Sequence, residues 1–309
     1  MLLDLTLLTI AAAVGLSLQR RYAGAGRLRE RIWSGNYVAL IPLAAIYAFL
    51  AIEFNAQLVQ VFACTVGAWW LTVGLSYLYA RTVATTRQQR GALTLIAAFP
   101  NTGFIGFPLA HLAFGTEGLR LAVIYDQISL VVPAIVISTI FARHHAAVEV
   151  HELTDGSPPS LARQVLLSPP LWTVVVLIAL RLTLVRDPVD LVWLGDAIGV
   201  VIGPVGFLLL GLSIPLDGMS HAWREVAHVV GSVLVRVAAA PALLWVVARI
   251  AGVDVPDALY LIAAMPTAFH ALIISRLSGL EVALVRLGVL VSTAVVVVVT
   301  VLGVTLSGA

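Results

Sequence analysis

The chain has 309 residues, 61% of them hydrophobic and 11% charged, with a formal net charge of +2. A soluble domain carries roughly a quarter charged residues, so the charges here are too few to cover a water-facing surface of this size, and lipid must be the solvent for most of the chain. The small net charge argues against nucleic acid as a partner, and a single cysteine, Cys64, excludes an intrachain disulfide, a Cys-rich zinc site and an iron–sulfur cluster.

Apolar runs long enough to span about 30 Å of hydrocarbon recur along the whole chain. The spans predicted in order are 2–19, 36–53, 58–80, 92–112, 119–142, 168–186, 191–216, 226–250, 258–277 and 282–306. The first run begins at Leu2, with no basic residue before it and no small-residue cleavage signal after it, and reads as a retained helix rather than a signal peptide. The expected class is therefore an all-α integral membrane protein of about ten transmembrane helices.

All eighteen basic residues are arginine. Arg20, Arg21, Arg27, Arg29, Arg31, Arg81, Arg87, Arg90, Arg143, Arg163, Arg224 and Arg276 fall in loops on one side of the predicted membrane. Only Arg120, Arg181, Arg186 and Arg249 fall on the other. The positive-inside rule then puts both termini outside a plasma or inner membrane and the 143–167 segment in the cytoplasm. That segment is the only sizeable polar stretch, and it divides the helices five and five: a first unit 1–142, a linker loop 143–167 and a second unit 168–309. The loop carries His144, His145, Glu149, His151 and Glu152 without any familiar ligand spacing. It reads as solvated rather than as a metal site, and no cofactor is expected.

The two units share a motif. ALTLIAAFP at 92–100 and ALYLIAAMP at 258–266 match at seven of nine positions with an offset of 166, and GLRLAVIY at 118–125 pairs more weakly with GLEVALVR at 279–286. Both pairs occur in the same order, which reads as an internal repeat. Five helices per repeat make the halves enter the membrane from opposite sides, an inverted-repeat design used by secondary transporters. Pro100 and Pro266 occupy equivalent mid-helix positions. Proline removes a backbone donor and clashes with the preceding turn, so the fourth helix is predicted to unwind near 100–103, over Pro100, Asn101, Thr102 and Gly103. The ninth is predicted to break near 265–268, around Pro266 and Thr267. Two second half-helices starting near the midplane would present unpaired N–H groups and positive dipole ends to one cavity, which favours an anion. Asn101, Thr102 and Thr267 add neutral hydrogen-bonding groups.

At this point AFPNTGFIGFPLAHLAFGTEGL at 98–119 resembles the fourth-helix signature of auxin efflux carrier family permeases. NYVALIPLAAIYAF at 36–49, LLSPPLW at 166–172, GPVGFLLLGLSI at 203–214 and AMPTAFHALIISRLSGLEVALV at 264–285 continue the likeness in order. The resemblance implies ten helices in a five-plus-five inverted repeat, a substrate site where the fourth and ninth helices cross, and carboxylate substrates such as dicarboxylates or auxin-like acids. It matches Pro100 and Asn101 to the fourth-helix crossover and Pro266 to the ninth-helix proline. It also implies that the first, second, sixth and seventh helices form a scaffold or homodimer surface while the rest move. His270 departs from the pattern and leaves proton coupling open.

Ionisable groups inside a bilayer are costly and mark function or partnership. Asp126, Arg236, His270 and Arg286 fall within predicted spans. His270, a turn past Pro266, suits either a proton-linked role or a neutral hydrogen bond. Arg236 suits either cavity charge or a structural partner such as a backbone carbonyl. Asp126 is expected about 10 Å below the outer surface, as proton carrier or crossover support, and Arg286 near the inner surface, too far for a mutual salt bridge. The reading is a secondary transporter of a small organic anion working by alternating access. A sodium-coupled carrier of the bile-acid symporter type is the alternative within transport. An intramembrane enzyme or sensor is the alternative from another class, and it lacks a nucleophile–base set, a zinc-protease motif and a signalling domain.

Overall fold

The computed structural model describes residues 2–131, 169–185, 187–214 and 225–307. The regular elements among them are all helices. Helix α1 is Leu2–Arg21, α2 is Ala25–Ala51 and α3 is Ala56–Val83. Helix α4, Arg87–Ala98, stops at Phe99. A second helical run follows through Thr102–Gly106, Phe107–Tyr125 and Asp126–Val131. Gly115, with φ of 62°, divides that run into α5 (102–114) and α6 (116–131). Then come α7 (Pro169–Thr183), α8 (Val192–Ser213) and α9 (Val226–Ala251). Helix α10 (Asp257–Ala263), α11 (His270–Leu277) and α12 (Val282–Ser307) complete the order.

Among the described residues, five helices are long and apolar enough to cross a membrane: Ala25–Ala51, Ala56–Val83, Val192–Ser213, Val226–Ala251 and Val282–Gly303. Their outward faces carry large apolar side chains, such as Leu78, Val200, Trp245 and Val299. In water that would be an aggregation surface; in lipid it is the expected one. The 143–167 segment, with its histidines and glutamates, lies outside the described residues.

Two boundaries differ from the sequence pattern. The second helix starts at Ala25 rather than 36, so Arg27, Arg29 and Arg31 are exposed on a helical extension and not in a loop. Hydropathy detects only what enters lipid, whereas arginine is itself a good helix former and lets the helix continue past the apolar stretch. The second difference is the corner between α5 and α6, which consists of Gly115 alone. A positive φ is a conformation that glycine adopts freely. A Cβ on nearby Gly118 would sit 2.4 Å from the Ala110 carbonyl oxygen, so the chain can double back closely there.

Helix α1 lies along α8, and α2 along α7. The α1–α8 contact is a backbone contact: a Cβ on Gly15 would stand 2.3 Å from Leu208 O, and one on Gly211 would stand 2.1 Å from Ala12 O. Small residues at a membrane helix crossing gain close packing where no hydrophobic drive exists. Helix α3 packs on α4 and α9, and α12 packs on α4 and α9. The interrupted helices sit between these groups, with α5 against α8 and α10, and α4 against α11.

Besides the π-type turn at Asp126–Val131 that ends α6, three helices among the described residues contain a widened π-type turn, at Asn36–Leu40, Thr102–Gly106 and Val235–Ala239. Each is followed, two residues on, by a proline: Pro42, Pro108 and Pro241. A proline ring collides with the carbonyl four residues back, and an extra residue in the turn relieves that collision without ending the helix.

Candidate functional site: the crossing of two broken helices

The predicted fourth and ninth spans are both interrupted, between α4 and α5 and between α10 and α11, and the interruptions touch. In the first, Phe99, Pro100 and Asn101 leave the helix; in the second, residues 264–269 do. Pro100 and Thr267 form an isolated antiparallel bridge. The Asn101 N–H donates to Pro266 O at 2.6 Å, and the Ala268 N–H donates to Phe99 O at 2.7 Å. Two short extended stretches thus satisfy each other's peptide groups where neither helix can, as a buried backbone in lipid requires. The break starts one residue earlier and ends two residues earlier than the sequence suggests. Thr102 and Gly103 already belong to α5, because Asn101 caps it: Asn101 Oδ1 accepts from the Phe104 N–H at 3.3 Å, and Asn101 O accepts from Gly106 N–H at 3.1 Å.

The carbonyl ends of the first half-helices are closed by side chains. Thr267 Oγ1 donates to Ile96 O (2.8 Å), Trp69 Nε1 to Ala98 O (2.7 Å) and Arg236 Nη1 to Ala97 O (2.9 Å). Arg236 Nη2 donates to Ala263 O, the last residue of α10. Ala97 and Ala263 are separated by the same 166 residues as the repeated motif. One guanidinium, 1% exposed, therefore spans equivalent carbonyls of both halves. Helix C-termini carry unpaired carbonyls and partial negative charge, and a planar fork of donors suits two of them at once. Arg236 Nε is left without a partner, beside a small cavity that Thr65, Trp69, Thr72 and Tyr125 also line.

The opposite ends, where α5 and α11 begin, are less filled. The Asn101 side chain is 4% exposed, yet its Nδ2 has no hydrogen-bond partner. A Cβ placed on Gly103 would meet nothing within 4 Å, so space opens beside the first turn of α5. Thr102 Oγ1 donates to Asp126 Oδ1, and Gln127 Nε2 donates to Asp126 Oδ2 at 2.9 Å. Asp126 thus sits beside the first turn of α5, next to the crossover. The early corner at Gly115 starts α6 sooner than 119 and brings Asp126 back alongside the start of α5. Its partners are Thr102 and Gln127; Arg286 lies in the second turn of α12 and is half-buried.

The α11 start has no side-chain cap. His270, its first residue, is exposed, with its ring 6.4 Å from Trp33, which in turn stacks on Tyr37 at 5.0 Å. Phe104 and Phe269 face each other across the breaks at 5.9 Å. Thr267 is fully buried and committed on both sides, its hydroxyl to Ile96 and its N–H to Ser292 Oγ at 3.0 Å. Among the described residues no group of three His, Cys, Asp or Glu converges on a metal position.

Trp69, Ser292, Gln127, Trp33 and Tyr37 were not singled out as site residues by the sequence reading. For Gln127 and Ser292 the available signal was a polar side chain inside an apolar run; for the aromatics there was none.

Two interrupted helices crossing on their backbones are accompanied by a direct family match. A family model described as a membrane transport protein, Mem_trans, covers residues 39–304. This chain belongs to that family. The match bears out the likeness to auxin efflux carrier permeases read from 98–119. An uncharacterized transporter of Methanothermobacter thermautotrophicus is 25% identical over 220 residues, which is 71% of this chain and 68% of that protein. The Mem_trans match extends from within α2 to within α12, and the crossing lies inside it.

Proposed function

We propose that this Mem_trans member carries a small organic anion, a carboxylate, across the membrane by alternating access around the crossing. The observation that carries the reading is the Asn101 amide: a buried donor without a partner, at the capped start of a half-helix and beside the open space at Gly103. An unpaired buried donor costs about 1–3 kcal/mol, and a carboxylate oxygen would remove that cost while meeting the first N–H groups of α5, which no carbonyl within the helix can reach. The aromatic side chains Phe104, Phe269 and Trp33 supply an apolar border for the rest of such a molecule.

The reading includes ten spans in a five-plus-five inverted repeat, with both termini outside and 143–167 cytoplasmic. Its support is the 166-residue offset shared by the motif and by the two carbonyls on Arg236. It also treats α1, α2, α7 and α8 as a scaffold, because they pair with one another, and the elements around the crossing as the moving part.

The test is uptake of labelled succinate, malate or indole-3-acetate into proteoliposomes. Uptake by the wild type that falls at least tenfold in a folded Asn101→Ala variant is the expected result. Equal uptake by both would remove the assigned site, and no uptake of any of these acids would remove the substrate class.

A further inference from the structure

The start of α5 already holds a carboxyl group. Asp126 reaches it from α6, accepting from Thr102, the first residue of α5, and from Gln127. A carboxylate near a helix N-terminus is in a favourable place. A second one, brought by a transported acid to Asn101 and Gly103, would be a close neighbour of like charge. Two unit charges about 6 Å apart at an effective dielectric constant of ~20 repel enough to cost on the order of a hundredfold in affinity. Arg236 does not donate to Asp126. Arg236 has both terminal nitrogens on Ala97 O and Ala263 O.

Gln127 indicates how the conflict resolves. It is 3% exposed and gives its NH₂ to Asp126, while its Oε1 is buried with no partner. If Asp126 becomes a carboxylic acid, Oδ2 gains an O–H. The Gln127 amide, turned over, then accepts that hydrogen on the oxygen that is now orphaned. The Asp126–Gln127 hydrogen bond can therefore be kept with the neutral acid as well as with the carboxylate.

Resting on the proposed anion transport, we infer that Asp126 is the coupling site: it takes up one proton from the side on which the carboxylate enters and releases it where the carboxylate leaves. The proton adds to one carboxylate oxygen and no other bond changes. Among the described residues, the titratable groups on the elements packed around Asp126 include these. Tyr125 precedes it on α6, and the Arg236 guanidinium lies near Tyr125. On α3, which packs on α6, Cys64 is buried. On α7, Arg181 is bound to the carbonyls of Ile52, Val185 and Asp187. Thr102 is the contact from α5.

The experiment is calorimetric titration of the full chain in lipid nanodiscs with succinate, malate and indole-3-acetate, in two buffers of different ionisation enthalpy. The expected result is close to one proton taken up per anion bound in the wild type, with affinity falling about tenfold per pH unit in the alkaline range. Asp126→Asn should bind with no proton uptake and a flat pH profile. Asp126→Glu should keep the uptake with a displaced profile, and it answers the question if the Asn variant does not fold. Binding without proton uptake in the wild type would overturn the inference and leave anion transport standing, as would sodium dependence in place of proton uptake. Uptake that persists in Asp126→Asn, or an unmoved profile in Asp126→Glu, would also overturn it, pointing to His270. Failure of all three acids to bind the wild type would remove the anion reading, and the coupling with it.

Discussion

The two breaks meet across a pair of hydrogen bonds, yet they differ in construction. The first is three residues long and leads into a helix capped by Asn101 and attended by Asp126. The second takes six residues, leads into an uncapped helix, and ends at an exposed histidine. Their carbonyl ends differ too. An indole, a hydroxyl and half of a guanidinium close the first; the other half of that guanidinium closes the second. An approximate repeat has thus kept its backbone plan while its polar side chains divided the work. Thr267, which stands where Asn101 stands in the other half, braces the crossing, whereas Asn101 keeps a free donor.

The sharpest way to break this comparison is to remove what the halves share. Arg236→Leu abandons two buried carbonyls, and loss of two charge-assisted hydrogen bonds should destabilise the fold by about 3 kcal/mol or more. Arg236→Lys, with one point of charge in place of a fork, should recover only part. Thermal unfolding in detergent measures both. Next comes the contrast between equivalent positions. Thr267→Val should cost about 1–3 kcal/mol of stability by stranding the buried Ile96 carbonyl, while Asn101→Ala should leave the midpoint closer to wild type and strike transport instead. A pair that both lowered stability equally and transported equally well would erase the distinction.

A smaller effect is expected from Gly103→Ala. Its methyl enters open space, so the melting temperature should hold, and altered uptake would show that the space is used. The smallest is at one end of the crossing helices, where Glu281, between α11 and α12, faces Gln89 on α4. Burial pushes its carboxyl above the usual range, Glu225 adds to the rise, and the Gln89 hydrogen bond opposes it. A carboxyl raised in the folded state favours folding when protonated and loses that contribution as pH climbs past its folded titration point. Glu281→Gln should therefore raise the melting temperature slightly at neutral pH, with the gain vanishing in acid.

Much of the crossing was legible because it depends on local chemistry. Prolines at equivalent mid-helix positions announce missing donors, and both interruptions follow from that. Residues whose meaning comes from distant backbone were harder. Arg236 allowed a carbonyl or a charge partner equally well until the ends of α4 and α10 were seen to converge on it. The meeting of Asp126 with Thr102 was not legible, because a one-glycine corner is shorter than any hydropathy window resolves. The helical extension carrying Arg27, Arg29 and Arg31 was missed because polarity ends a membrane span without ending a helix.

A salt bridge has two mutable ends, and a single codon change at either one strands the other. Arg236 leans instead on the peptide oxygens of two alanines. No replacement of Ala97 or Ala263 deletes a main-chain carbonyl, so the joint is exposed to genetic loss from one side alone, and drift in the surrounding sequence leaves its acceptors in place.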